Sequence, residues 1–448
     1  MSYQLIQASA HQTGLPDKSV HCVITSPPYY GLRVYSGEQD VDWPEVRYSP
    51  MPGLPEIVIP GCDPNCRHEW ELQSKSMSGG GAKSSTLLGS RAYQEETHFD
   101  TSSGVCIHCG GMRCGLGAEP TPEAFIGHLI LVMREMWRVL RDDGVCWVNL
   151  GDSYNGSGGA GGDYGKGGLK EGQPKYPGRK IGTLKPKDLM MIPARFALAA
   201  QADGWYLRQD CIWHKTAPMP ESVTDRCTKA DEFIYLLTKQ EKYYFDADAI
   251  REPCVTASNV RNKSKEKHNS AVLSPIGKGE REWNNPNGRN KRSVWTINPS
   301  NYHGAHFATY PLEIPLTCIK AGASAHGVCP KCGAQWERIV ESTKYEPEIV
   351  QVGERHVDDS RGDKTRKISG REYNKQKTST TTGWQPTCDC GSADVIPATV
   401  LDPFNGSGTT GKAALQLNRS YIGVDIAKEY LDDLTPDRLS NVQIEMAW

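Results

Sequence analysis

Two stretches of the chain carry residue types and spacings that could do chemistry on a bound ligand. The first is Ser26-Pro27-Pro28-Tyr29, which follows the apolar run His21-Cys22-Val23-Ile24 and Thr25. Two successive prolines stop both strand and helix, so they hold a rigid loop at a strand end. The loop offers a hydroxyl, a carbonyl that cannot move far and an aromatic face. That set suits a flat base with an exocyclic amine: the oxygens accept the amine hydrogens and the ring stacks on the base. A proline-stiffened surface turn is the plain alternative. The second stretch is Asp402-Pro403-Phe404-Asn405-Gly406-Ser407-Gly408-Thr409-Thr410-Gly411. Its glycines let the backbone pass close to a ligand. It lacks the Gly-Lys-Ser/Thr of a Walker A loop. Asp425 ends the next strand, where a carboxylate can grip ribose hydroxyls. An ordinary strand-to-helix turn is the alternative here.

The cysteines form a third set. Cys62-x₃-Cys66-x-His68 is followed by Cys106-x₂-Cys109, and Cys329-x₂-Cys332 by Cys388-x-Cys390. Close pairs separated by a loop match tetrahedral zinc sites, and four protein ligands leave no position for catalytic water, so the expectation is two structural ions. Trp70 lies four residues after Cys66 and Trp336 four after Cys332. That echo favours Cys62 with Cys66 as the first pair, and Cys66 with His68 is the rival. Free reduced thiols are the alternative to both.

These groups need elements to position them. Strands are expected at His21–Ile24, Gly144–Leu150, 205–215, 231–239, Thr399–Asp402 and Ser420–Asp425. Helices are expected at Pro120–Leu140, from Pro193 to Gly204, and after the glycine turn. Strands alternating with helices argue for a parallel α/β sheet. Such a sheet binds ligands at its carboxyl edge, which is where both stretches would fall.

Composition narrows the class. The chain has 448 residues, 38% of them hydrophobic, and a formal charge of −2. Its mean hydropathy is −0.55. No run approaches the ~20 apolar residues of a spanning helix, so no membrane role is expected. The opening residues lack a basic start followed by an apolar core, which points to the cytoplasm. Fifteen cysteines without an export signal suggest metal binding rather than disulfides. A whole-chain basic footprint is absent, so contacts to nucleic acid must be local. Residues 252–293 hold nine Lys/Arg against four Glu. Arg261, Lys263, Arg289, Lys291 and Arg292 are candidates there, and the polar insert 353–377 is a second candidate arm. A solvated loop is the alternative for both segments.

Taken together, Ser-Pro-Pro-Tyr and Asp-Pro-Phe-x-Gly-Ser-Gly-Thr-Thr resemble motifs of the amino-methylating DNA methyltransferases. The order, catalytic loop first and cofactor loop near the C-terminus, resembles the beta-type permutation. Gly204-Trp205, Ile212-Trp213-His214-Lys215, Arg226 and Glu232 resemble the middle of that family. Trp295 with His306-Phe307-Ala308-Thr309-Tyr310-Pro311 resembles the segment flanking its cofactor. Ser26 stands where many relatives carry Asp. Gln7-Ala8-Ser9 stands where relatives often carry an acidic cofactor contact.

The resemblance implies a Rossmann-like α/β core with a permuted, mostly parallel sheet, into which the cysteine spacing inserts two zinc-binding modules. Its expected divisions are residues 1–60, 119–251, 294–326 and 393–448 for the core, 61–118 and 327–392 for the zinc modules, and 252–293 for target recognition. It implies S-adenosylmethionine as cofactor, held by Asp402, Pro403, Phe404, Gly406, Ser407, Gly408, Thr409, Asp425, His306 and Phe307. It implies Ser26, Pro27, Pro28 and Tyr29 as the catalytic loop, acting on a base flipped out of duplex DNA. Tyr30 and Arg33 would hold the phosphodiester or neighbouring bases, with loop packing as the alternative. Ser26 favours cytosine N4, with adenine N6 the runner-up. A non-catalytic zinc-bearing nucleic-acid-binding protein is a rival from another class, and methylation of RNA or of a protein amide is a third. A restriction endonuclease partner and a homodimer fit the same reading.

Overall fold

The computed structural model describes residues 2–31, 39–72, 104–156, 183–218, 220–221, 223–253, 288–299, 310–342, 348–357, 364–372, 379–440 and 442–443. Eight strands form the central sheet: β1 (Tyr3–Gln7), β2 (Val20–Thr25), β3 (Leu140–Leu150), β4 (Tyr206–Lys215), β5 (Asp231–Thr238), β6 (Val294–Ile297), β7 (Thr399–Asp402) and β8 (Ser420–Asp425). Their spatial order is β1-β8-β7-β2-β3-β5-β4-β6. All neighbours run parallel except at β5, which is antiparallel to both β3 and β4. The sheet is therefore mostly parallel, as its strand–helix alternation predicts.

Five helices flank it: α1 (Pro122–Val139), α2 (Ile192–Ala202), α3 (Glu313–Gly322), α4 (Thr409–Gln416) and α5 (Thr435–Ser440). Helix α1 starts where its sequence dictates. Thr121 Oγ1 accepts the Ala124 N–H and Pro122 occupies the first turn, where its missing N–H costs nothing. The sheet is covered on both faces, which is why β2 is buried at every residue. Alternation along β2 divides the core: Val23 joins α1 and α2, while Cys22 and Ile24 join α3 and α4.

The two ends of the chain meet within the sheet. Strand β1 lies beside the last strand, with Gln7 opposite Asp425, and β7 is inserted next to β2, with Val400 opposite Cys22. The carboxyl ends of β2 and β7 therefore meet at one sheet edge. At the other edge, His21 ties the same strands together. Its Nδ1 accepts the Thr399 N–H at 3.0 Å, so its Nε2–H donates to the Gly333 carbonyl at 2.9 Å. Arg141 donates to the Cys332 carbonyl at 2.7 Å.

The first cysteine region builds a small sheet from Val41–Asp42, Met112–Cys114, Gly104–Cys106 and Trp70–Leu72. It begins inside the segment 1–60 that the sequence reading assigned to the core. Trp43, Val46, Tyr48 and Ile59 bury themselves in the α1 core. The second region contains two hairpins, Trp336–Ser342 with Ser379–Pro386 and Glu348–Val357 with Lys364–Glu372.

Helix α3 sits close on the sheet. A Cβ added at Gly322 would lie 2.3 Å from Val145 Cγ2 and 3.0 Å from Cys22 Sγ. Gly322→Ala is expected to destabilise the fold by about 1–3 kcal/mol through overpacking. Thermal unfolding reads this directly, and an unchanged Tm would show that α3 is seated loosely.

Candidate active site

The two chemistry-bearing stretches lie side by side. Thr25 ends β2 and donates from Oγ1 to Asp402 Oδ1, at the end of β7, over 2.9 Å. Asp402 is buried and also accepts from Thr410 Oγ1 at 2.5 Å and from the Phe404 N–H at 3.1 Å. These bonds shape the turn at the end of β7. Burial pushes its carboxyl up to about 7.

The glycine turn is held from several sides. Gly408 sits in the left-handed region with φ 74° and starts α4, a conformation that favours glycine. A Cβ there would also meet Thr435 Cγ2 at 2.8 Å. Asn405 donates to Thr435 Oγ1 at 2.7 Å and accepts from the Tyr421 hydroxyl at 2.8 Å. Ser407 Oγ lies 2.6 Å from Arg438 Nη1, which donates to it. Ser407, Thr409 and Pro403 are buried, while Phe404 and Gly406 are half-buried. Asp425 accepts the Gly406 N–H at 2.8 Å and the Ala427 N–H at 3.0 Å. Burial pushes its carboxyl up to about 6. A carboxylate oxygen accepts more than one bond, so Asp425 still has capacity for hydroxyl donors beside the turn.

The Ser26–Tyr29 loop is anchored by three side chains to which the sequence reading assigned no role. The Tyr29 hydroxyl donates to Glu232 Oε2 at 2.5 Å. Asn149 Nδ2 donates to Tyr29 Oη at 2.7 Å and to Glu232 Oε2 at 2.9 Å. Lys215 Nζ lies 2.5 Å from Glu232 Oε1. Ser26 Oγ is 3.4 Å from both Tyr29 Oη and Asn149 Nδ2. The Tyr29 ring packs so closely on Gly151 that a Cβ there would approach Cε2 to 2.6 Å. A signal for Asn149 was present: it is the one polar residue in the apolar run GVCWVNL, and buried polar groups need partners.

Other expectations fare differently. His306, Phe307, Arg33, Arg261 and Lys263 lie outside the described residues. Tyr30 is buried against Phe125, with ring centroids 5.4 Å apart. It therefore packs the core instead of facing a phosphodiester. Arg289, Lys291 and Arg292 gather on Glu252 at 3.3, 3.9 and 3.1 Å. Asp152 accepts the Ile192 N–H at 3.0 Å and so tethers the start of α2.

The cysteines converge in two groups. Cys66, His68, Cys106 and Cys109 form one, and Cys329, Cys332, Cys388 and Cys390 the other, with all ligand atoms of each group within 4.8 Å of one another. Cys66 Sγ is 3.8 Å from Cys106 Sγ, and Cys109 Sγ is 3.6 Å from His68 Nδ1. Zinc–sulfur and zinc–nitrogen bonds of about 2.3 and 2.0–2.1 Å give tetrahedron edges of about 3.8 and 3.6 Å. The donor set therefore fits zinc. Backbone N–H groups of Cys332 and Lys331 lower the Cys329 thiol to about 7, while the neighbouring thiols push Cys390 up to about 12. Cys62, favoured by the tryptophan echo, stands outside the first group. Its N–H is tied to the Trp43 carbonyl at 2.9 Å and its thiol donates to the Met112 carbonyl at 3.3 Å. The geometry favours His68, the rival ligand. A third grouping, Cys114, Glu119 and His128, was not foreseen. There His128 Nδ1 and Glu119 Oε1 are 3.0 Å apart, and the imidazole stacks on Trp43.

The proline-stiffened loop and the glycine turn thus stand on adjacent strand ends of an α/β sheet, and sequence comparison supplies the family. The N6_N4_Mtase family model, described as DNA methylase, matches residues 20–329 and 397–435, and the chain belongs to that family. The chain is 33% identical over 324 residues to the Type II methyltransferase M.Cfr9I of Citrobacter freundii, covering 71% of this chain and 72% of that one. It is 28% identical over 432 residues to the Type II methyltransferase M.XycI of Xanthomonas campestris pv. cyanopsidis, covering 95% and 83%. It is 31% identical over 318 residues to the Type II methyltransferase M.SmaI of Serratia marcescens, covering 70% and 74%. Among the described residues, no helix is long and apolar enough to cross a membrane.

The buried Asp402 carboxyl makes stability depend on pH. Its folded value of about 7 lies above the ordinary value of about 3.9. The folded state therefore holds the proton more tightly. That contribution is fully present below about pH 4 and is lost as pH rises through about 7. Asp402→Asn cannot ionise, so its Tm should fall less steeply than wild type between about pH 4 and 7. Asp425, raised to about 6, leaves a residual slope. Parallel Tm profiles for variant and wild type would remove Asp402 from the account.

Proposed function

We propose that this DNA methylase transfers a methyl group from S-adenosylmethionine to the N4 amine of a cytosine flipped out of duplex DNA. The observation that carries the reading is the Thr25–Asp402 bond of 2.9 Å, which sets an amine-accepting loop beside a glycine turn on neighbouring parallel strands. S-adenosylmethionine supplies an electrophilic methyl group on a sulfonium. The half-buried Gly406 and Phe404 and the spare acceptor capacity of Asp425 suit its backbone-approachable and ribose parts. Ser26 Oγ and the Pro27 carbonyl accept the amine hydrogens, which restores nucleophilic character to a nitrogen whose lone pair is delocalised into the ring. Tyr29 stacks on the base. Orientation and electrostatics then provide the acceleration, without a covalent enzyme adduct. Ser26 in place of Asp supports cytosine. The Type II names of the relatives support a role beside a restriction endonuclease of matching specificity. The basic end of segment 252–293 is offered as part of the DNA-reading surface.

The two cysteine groups are proposed as structural zinc sites, since each offers four protein ligands. Elemental analysis should find about two zinc ions per chain, falling to about one in His68→Ala and staying at about two in Cys62→Ser. A metal-free, fully folded wild type would refute both sites.

The reaction is tested on plasmid DNA lacking other methylation, with nucleoside mass spectrometry as the readout. N4-methylcytosine is the expected product. N6-methyladenine would overturn the base assignment, and unmodified DNA would overturn the reading. Tyr29→Ala should abolish transfer while leaving S-adenosylmethionine binding by calorimetry intact. Near-normal turnover in that variant would remove the stacking role.

A further inference from the structure

The hydrogen bonds around Tyr29 have a direction, and one buried carboxylate sets it. A carboxylate only accepts. Glu232 takes Lys215 on Oε1, and on Oε2 it takes both the Tyr29 hydroxyl and Asn149 Nδ2. The Tyr29 proton is therefore committed to Glu232. Toward its other partners Tyr29 Oη is an acceptor, receiving from Asn149 Nδ2 at 2.7 Å and from the Ser26 hydroxyl at 3.4 Å. With its proton turned toward Tyr29 and one lone pair facing Asn149 Nδ2 at 3.4 Å, Ser26 Oγ keeps a second lone pair to offer. The same logic orients Asn149. Its amide nitrogen must face these oxygens, and its Oδ1 is left buried without a partner.

The rest of the loop points the same way. Pro27 and Pro28 have no N–H, so the loop backbone contributes carbonyls and no donors at these positions. Ser26 Oγ and the Pro27 carbonyl make the neighbourhood rich in acceptors. An incoming base edge that donates hydrogens is satisfied there. An edge that presents a carbonyl meets oxygen lone pairs and loses its water without compensation.

We propose that Glu232 is a positioning residue that fixes this proton order, and through it the loop's selection of an amine over a carbonyl at the target base. The proposal rests on the amino-methylation reading above. Its terms predict a specific failure. In Glu232→Gln the side chain keeps its size but gains a donating NH₂. The Tyr29 hydroxyl can then turn and donate to Ser26 Oγ, occupying the lone pair meant for the amine.

The test is a cycle in the full-length chain comparing wild type, Glu232→Gln, Tyr29→Phe and the double variant. The readouts are kcat and KM on plasmid DNA, together with Tm and S-adenosylmethionine affinity. Glu232→Gln should lower kcat at least about tenfold, the worth of one charge-assisted hydrogen bond, with KM, Tm and cofactor affinity close to wild type. Tyr29→Phe keeps the ring and removes the relay. On that background Glu232→Gln should cost nothing further, because the carboxylate acts through the hydroxyl. Wild-type kcat in Glu232→Gln would overturn the proposal, as would full additivity in the double variant. An active wild type with either result removes the inference alone. A wild type that methylates no DNA removes the reading and the inference together.

Discussion

One hydrogen bond joins the two halves of the site, from Thr25 Oγ1 to Asp402 Oδ1. It exists because β7, from the end of the chain, is inserted beside β2, from its beginning. In parallel neighbours the carboxyl ends coincide, so two loops more than 370 residues apart in sequence open at the same place. The rest of the core serves that registration. Continuous apolar strands demand helices on both faces, and the alternation within β2 shares its side chains between the two layers. The cost is borne at Asp402, a carboxylate without solvent that persists only because hydroxyls and a backbone N–H surround it.

The Ser26–Tyr29 loop shows the same economy of polar groups. Glu232, Lys215 and Asn149 come from β5, β4 and β3; Glu232 and Asn149 reach one tyrosine, and Lys215 braces Glu232. Elements of a sheet hold side chains more exactly than a loop does. A loop stiffened by proline and pinned by sheet residues is pre-ordered for a planar partner, which limits the freedom lost on binding.

Much of this was legible in the chain. The prolines after His21–Ile24, the glycines after Thr399–Asp402 and the strand–helix alternation located the sheet edge, because each rests on backbone rules that act locally. The paired cysteines located both convergent cysteine groups for the same reason. What escaped was long-range. The antiparallel direction of β5 depends on how a connection folds back, which spacing does not record. Glu232 and Lys215 resembled family residues, but their mutual contact is visible only when β4 and β5 are paired. Cys62 and His68 differ in a detail of chain direction: the Cys62 backbone is held by Trp43, and this turns its thiol away from the group.

His21 carries a mechanical consequence. It sits at the foot of the pair of strands whose tops bear the Ser26–Tyr29 loop and the glycine turn, and it ties that foot to the second cysteine knuckle through Gly333. Arg141 adds a second tie through Cys332. The knuckle thus works as a doorstop behind the sheet, roughly 17 Å from the chemistry at the rise of an extended strand. Loosening it would let β2 and β7 slide relative to each other, and a shift of the strands would reach both loops without any ligand or base touching the cysteines.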